Sequence, residues 1–406
     1  MSASKESGKR KRGDRTRAVH GAREGTHGAM STPIVRSVTF GFETLDAMLA
    51  EQALGRDGAF YQRNGHPTVR GCERHLAELE GVEDALLFSS GMAAISAVMF
   101  AHLAVGDHVV ALHQSYGGTH DLLRWGEAHF GWSVDFVDAR TPTDWARAFK
   151  PQTRLLHVES PTNPMNVIVD LDAAARLAHA HGALLSVDNT FASPLGQHPG
   201  EWGADIVSYS ATKSIGGHSD LLAGAVTGSR ELIDKVWKMR KLFGAMAAPE
   251  VAAQIERSLK TLVLRIAAQN ATALELAAYL QGHAGVVAVS YPGLSSHPGH
   301  AIAAKQMAHG FGPIVAFEVA GGGEAARATV ESLKLIHHAS SLGSTESLVS
   351  LPAHTSHIQL GPEGRARAGI SEGLIRMSVG VEDAADLRMD LEQALARAVK
   401  PQAAAR

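Results

Sequence analysis

Four short segments carry side chains whose types and spacing could do chemistry. The string SYSATKSIGGHSD at 208–220 sets Lys213 among the hydroxyls of Ser210 and Thr212, with Gly216 and Gly217 just beyond. Lysine is seldom buried without a function, its uncharged amine can form an imine with an aldehyde, and flanking hydroxyls suit a phosphate. A surface lysine in a polar turn is the competing reading, and the whole string argues against it. Asp188 ends the apolar run ALLSVD at 183–188. A carboxylate there is costly to desolvate unless a cation faces it, although capping of the next segment would also explain it. Gly91 and Met92, in SSGMAAI at 89–95, fall where a helix opens and its free N–H groups attract an anion. A plain tight turn reads the same way, and neither a Gly-Lys-Ser/Thr loop nor a G-x-G-x-x-G spacing is present. Asn163 lies in ESPTNP at 159–164, between Pro161 and Pro164; it is either a positioned ligand contact or an Asx turn.

Together these parts describe one cofactor. An imine-forming lysine, an acid placed against a ring nitrogen and a glycine–hydroxyl phosphate cradle are what pyridoxal 5′-phosphate (PLP) asks of a protein. The 22 histidines, including the adjacent His337 and His338, show no His-x-x-x-His with an acidic partner, so no metal is expected. Trp125 and Trp132 read as packing residues.

The elements that must position these groups alternate between buried strand and helix. Apolar runs at 85–88, 108–112, 134–138, 154–159, 183–188, 204–210 and 223–228 are separated mostly by helical stretches. Such runs imply parallel strands covered on both faces, since parallel pairs need crossover helices. Ligands of these sheets sit beyond the carboxyl ends of the strands, which is where the four segments fall. The expected fold is α/β, a mostly parallel sheet flanked by helices over 68–264, followed by a smaller α+β domain over 265–406. Residues 1–67 read as a disordered basic tail (1–17) and an extended arm.

With 406 residues, 45% of them hydrophobic and 19% charged, the chain is long enough for two cores. A net charge of −3 supplies no field for nucleic acid or membrane. A nucleic-acid role for the basic tail around Lys9 to Arg12 is the weaker alternative to a solvated segment. One cysteine, Cys72, excludes an internal disulfide and fits a reducing, cytoplasmic setting. No apolar stretch approaches a membrane span.

The motifs TRAVHG (16–21), YQRNGHPT (61–68), SSGMAAI, SYGGT (115–119), ESPTNP, VDNTFASP (187–194), SATKSIGGHSD, YPGL (291–294), SLGSTESL (341–348) and IRMSVGVED (375–383) occur in this order. In them the chain resembles the transsulfuration family of fold-type I PLP enzymes, which includes cystathionine γ-synthase, cystathionine lyases and methionine γ-lyase. The resemblance implies that Lys213 carries the cofactor covalently and that Asp188 pairs with its ring nitrogen. It implies that Gly91, Met92, Ser210 and Thr212 hold the phosphate, with Tyr61 and Arg63 from a neighbouring subunit, in a homodimer with shared sites that pairs into a homotetramer. Tyr116 would stack on the ring and move a proton. Asn163, Ser341 and Arg376 would face the ring hydroxyl and the substrate carboxylate, and Phe60 and Ser340 the distal end of an amino-acid substrate.

The chain also departs from the family pattern. Gln62, His66 and Tyr209 replace the usual serine, asparagine and histidine. Phe60 and Ser340 stand where cystathionine γ-lyases carry acids, Asp121 where animal γ-lyases carry arginine, and Gly118 where methionine γ-lyases carry cysteine. The resulting expectation is a carbon–sulfur lyase of sulfur amino acids working by β- or γ-elimination. The alternatives are γ-replacement of the cystathionine γ-synthase or O-acylhomoserine sulfhydrylase kind, an aminotransferase, and a catalytically inactive scaffold of the same fold.

Overall fold

The computed structural model describes residues 12–21 and 28–398. Seven strands form the first sheet: β1 (Asp84–Phe88), β2 (His108–Leu112), β3 (Ser133–Val137), β4 (Thr153–Glu159), β5 (Leu184–Asp188), β6 (Ile206–Tyr209) and β7 (Gly224–Gly228). Their order is β1-β7-β6-β5-β4-β2-β3. The pairs β2/β3, β2/β4, β4/β5 and β5/β6 are parallel. Helices Gly91–His102, Gly117–Phe130 and Leu171–Ala180 lie among these strands and make the crossovers. Ser90 opens the first by accepting the Ala93 N–H at 3.1 Å, and Asp170 opens the third by accepting the Ala173 N–H at 3.0 Å.

One expectation needs correcting. The strand at 223–228 is not parallel to its neighbours, for β7 pairs antiparallel with both β1 and β6. No helix lies between β6 and β7, so the chain cannot cross over and returns beside the strand it left. The connecting loop, which carries Lys213, therefore sits at the carboxyl end of β6 and the amino end of β7.

The second sheet is mostly antiparallel, with order β10-β11-β12-β9-β8. Its strands are β8 (Val286–Ser290), β9 (Ile314–Val319), β10 (His337–His338), β11 (Leu348–Ser350) and β12 (Leu374–Ser378). It packs against helices Gly322–Ser332 and Ala384–Ala398 around Val315, Phe317, Ile375, Met377 and Leu391. His337 and His338 form an exposed edge. The 33-residue helix Pro249–Gln281 serves both cores, giving Leu259, Leu262 and Ile266 to the first and Ala273, Leu276 and Leu280 to the second. The expected boundary between 264 and 265 falls inside it.

The basic tail is also corrected in part. Residues 1–11 lie outside the described residues, but Asp14–His20 is a helix rather than disordered tail. Ala18 is fully buried, Arg17 Nη1 donates to Glu78 O at 2.8 Å, and His75 Nε2 donates to Arg17 O at 2.8 Å. Burial of that turn, absent from local sequence pattern, orders it. Among the described residues no helix is long and apolar enough to cross a membrane.

Candidate active site

A cavity of about 640 Å³ opens beyond the carboxyl ends of β1, β4, β5 and β6, and the second sheet closes its other wall. Gly91, Met92, Tyr116, Asn163, Asp188, Ser210, Thr212 and Lys213 line it from the first sheet. Ser340, Ser341 and Arg376 reach it from the second. Phe60, Tyr61 and Arg63 do not line it. Phe60 instead stacks on Phe42, with ring centroids 6.3 Å apart, and the exposed Arg63 guanidinium lies 5.5 Å from the Tyr61 ring centre.

Lys213 reaches the cavity from a loop that folds on itself. Ala211 O accepts the Gly216 N–H at 2.8 Å, and Lys213 O accepts the Gly217 N–H at 2.7 Å. Gly217 has φ +71°, and a Cβ there would lie 1.9 Å from Arg265 Nη1, so only glycine fits. Lys213 Nζ donates to Ser341 Oγ at 2.7 Å. Burial, helped by the Arg376 charge, lowers the lysine from 10.5 to about 8.

Asp188 closes β5 and is 6% exposed. Its Oδ1 accepts the Thr190 hydroxyl at 2.5 Å and the Thr190 N–H at 3.0 Å. The capping turn and the cavity-facing acid are thus the same residue in two roles. Burial raises its pKa, against the pull of the Thr190 bonds. The Thr190 hydroxyl also accepts the Ser210 N–H at 2.9 Å, which ties β5's end to β6's.

The helix start at Gly91 is packed hard on Ser210: a Cβ at 91 would lie 2.8 Å from Ser210 Cβ and 2.9 Å from its Cα. Small residues there keep room for an anion beside the helix N-terminus. Thr212 lines the cavity, yet its hydroxyl donates to Ala223 O at 3.1 Å and accepts the Ala223 N–H at 3.0 Å.

Asn163 is 4% exposed, and its Oδ1 accepts Arg376 Nη1 at 3.0 Å. It therefore does not cap the following helix, which Asp170 opens. Arg376 Nη2 donates to Ser341 O at 3.1 Å, while the buried Nε has no protein partner. Burial lowers the guanidinium to about 10. A buried cation with an unspent N–H on a cavity wall suits a carboxylate ligand.

Glu159 and Thr190 are among the cavity residues that escaped the reading of the sequence. Glu159 closes β4 as Asp188 closes β5, and the two are register partners across the strands. The signal, an acid ending an apolar strand, was the same in both. Thr190 had no comparable signal, since a threonine two residues after an aspartate is common in any turn.

These residues fit PLP. A buried acid, an amine of lowered pKa and a glycine-floored cradle converge on one cavity, and the orphaned Arg376 Nε adds a place for a carboxylate. Comparison with known proteins agrees. The family model described as Cys/Met metabolism PLP-dependent enzyme matches residues 15–396. The chain is 39% identical over 395 residues to the L-methionine gamma-lyase of Treponema denticola, covering 96% of this chain and 98% of that one. It is 40% identical over 373 residues to the O-succinylhomoserine sulfhydrylase of Pseudomonas aeruginosa, covering 92% of each. The crystal structure of cystathionine gamma-lyase from Lactobacillus plantarum superposes with a TM-score of 0.89 at 37% identity, over 95% of this chain and 99% of that one. The expected fold type, cofactor and enzyme class are borne out, and the chain belongs to the Cys/Met metabolism family of PLP-dependent enzymes.

Proposed function

We propose that this enzyme is a carbon–sulfur lyase that eliminates a thiol from a sulfur-containing amino acid, with L-methionine-type γ-elimination as the leading activity. The observation that supports it most is that a half-buried lysine, a buried aspartate and a buried arginine line a single cavity.

Bound PLP supplies an electron sink for the charge left when a substrate loses its α-proton. Lys213 would hold the cofactor covalently, with Asp188 against the ring nitrogen and Gly91, Met92, Ser210 and Thr212 around the phosphate. The Lys213 amine would take the substrate's α-proton and return it further along the substrate. An amine titrating at about 8 is partly neutral at physiological pH and can act as that base. Loss of a γ-substituent needs a second proton shift, from the β-carbon, whereas a β-substituent needs only the first. Arg376, braced by Asn163 and the Ser341 carbonyl, would hold the substrate carboxylate. Tyr116, 41% exposed at the cavity mouth, would stack on the ring and carry a proton to the leaving sulfur.

The enzyme would work as a homodimer with shared sites, pairing further into a tetramer. Support comes from the arm: Tyr61 and Arg63 lie away from their own cavity, and Met30, Ile34, Val38, Leu45, Leu49 and Leu54 expose apolar side chains around it. A second copy covering that surface would receive Tyr61 and Arg63 at its phosphate site and Phe60 at its distal pocket. The single, buried, unpaired Cys72 supports cytoplasmic residence.

Phe60 and Ser340 carry no charge, so the distal pocket lacks a partner for cystathionine's far ammonium group and favours a methylthio end. Release of keto acid and thiol from L-methionine, L-cystathionine, L-homocysteine and L-cysteine tests this reading. Turnover that appears only with O-acylhomoserine and a thiol would favour γ-replacement instead, the reaction suggested by similarity to a sulfhydrylase.

A further inference from the structure

We infer that Glu159 is a positioning residue, whose carboxyl group ties the loop carrying Tyr116 to the loop carrying Asn163 and, through Asn163, to Arg376. The inference deepens the proposed function and rests on the roles given there to Tyr116 and Arg376. Glu159 is 3% exposed at the end of β4. Its Oε2 accepts the Tyr116 N–H at 2.8 Å, and its Oε1 accepts the Asn163 N–H at 2.7 Å. Tyr116 precedes helix Gly117–Phe130 and Asn163 follows β4, so one side chain joins the two loops. The chain of bonds continues from Asn163 Oδ1 to Arg376 Nη1 (3.0 Å), from Arg376 Nη2 to Ser341 O (3.1 Å), and from Ser341 Oγ to Lys213 Nζ (2.7 Å). Tyr116 and Lys213 are thereby held relative to the arginine that would seat the substrate.

A carboxyl group is needed because two backbone donors converge on it. Glutamine keeps the shape but offers only one acceptor, and its amide nitrogen would face the second N–H as another donor. Aspartate is one methylene too short to reach both loops. The groups around Glu159 are Asp188 across the sheet on β5, Arg376 on β12, the Tyr116 loop, and His357, whose Nε2 donates to Asn163 O at 3.1 Å. Burial and the Asp188 carboxylate push Glu159 well above the usual carboxylate range, against the two N–H bonds and Arg376.

The test is Glu159→Gln in the full-length protein, read in two ways. Hydrogen exchange of the cofactor-free protein, followed by mass spectrometry, should show about tenfold or greater loss of protection at the Tyr116 or Asn163 amide, with β5 unchanged. Kinetics on L-methionine should show kcat/KM falling about 10- to 100-fold, PLP affinity within about twofold of the parent, and a smaller loss when Glu159→Gln is added to Tyr116→Phe than when it is added to the parent, the remainder being the Asn163–Arg376 branch. Full protection at both amides, or losses that multiply in the double variant, overturns the inference. If Tyr116→Phe alone keeps full activity, the proposed role of Tyr116 fails, and the exchange result still judges Glu159 separately. Glu159→Asp, measured at the same two amides, serves if Glu159→Gln does not fold.

Discussion

Lys213 Nζ donates a 2.7 Å hydrogen bond to Ser341 Oγ, and Ser341 holds this place with φ +111°. A non-glycine residue there stores about 1–3 kcal/mol of backbone strain, so the serine is kept for its side chain or its carbonyl. Ser341→Gly should leave the cofactor-free protein as stable as the parent or more so, yet lower kcat/KM about 10- to 100-fold, as loss of a bond to a charged amine implies. Ser341→Ala should lose activity equally without the stability gain. Thermal melts and methionine turnover of both variants check this.

Lys213 carries a pH signature of its own. Burial and Arg376 lower it from 10.5 to about 8, so between these values the unfolded chain binds more protons than the folded one. The contribution of Lys213 to the stability of the cofactor-free protein should therefore rise with pH across that window, whereas the buried Cys72, Tyr209 and Tyr291, pushed up by burial, act in the opposite sense. Below it the buried amine costs about 3 kcal/mol, which Lys213→Met should recover at neutral pH while abolishing turnover. Urea titrations of both proteins from neutral to alkaline pH measure the difference in stability between them, which should shrink as pH rises through the window.

Gly91→Ala places a methyl group 2.8 Å from Ser210 Cβ and 2.9 Å from its Cα. The helix start or the Ser210 turn must move, and both belong to the phosphate cradle. PLP affinity, read by absorbance titration, should fall about tenfold or more, since one lost charge-assisted contact is worth about 1.5–3 kcal/mol. Unchanged affinity would remove Gly91 from the cofactor site.

Shared sites have a direct test. Arg63→Ala should weaken PLP binding, and Lys213→Ala should abolish turnover. Mixed dimers of the two should regain part of the activity, because one site in each then has both residues. Mixtures as inactive as their parents would place Tyr61 and Arg63 outside the catalytic unit.

His198 lies 3.5 Å from Asp14 and 3.9 Å from Glu80. Burial works against its charge, but Glu80, Asp14 and Glu201 outweigh it and raise its pKa. The stabilisation is fully present below the ordinary histidine value and is lost as pH rises through the folded one. Helix Asp14–His20 should therefore exchange its amide hydrogens faster as pH climbs past about 6.5, beyond the intrinsic pH effect. His198→Gln should remove that excess.

Local sequence determined the kinds of element and the residues at their ends. Short apolar runs such as HVVAL and ALLSVD read as buried strands because every side chain in them, Ser186 excepted, is apolar or lies at the strand's end, and the polar residue that follows marks the ligand side. Lys213, Asp188, Asn163 and Gly91 were legible for that reason. Tertiary structure alone decided what these ends meet. The antiparallel return of β7, the folding of residues 14–20 onto Glu78, and the placement of Arg376 against Asn163 join residues tens to hundreds of positions apart. Side-chain periodicity reports only the face a residue presents, not the distant group packed against it. Glu159 shows the difference most clearly: its type and position were visible in the chain, but the two backbone N–H groups that give it a purpose converge only after β2 and β4 pair.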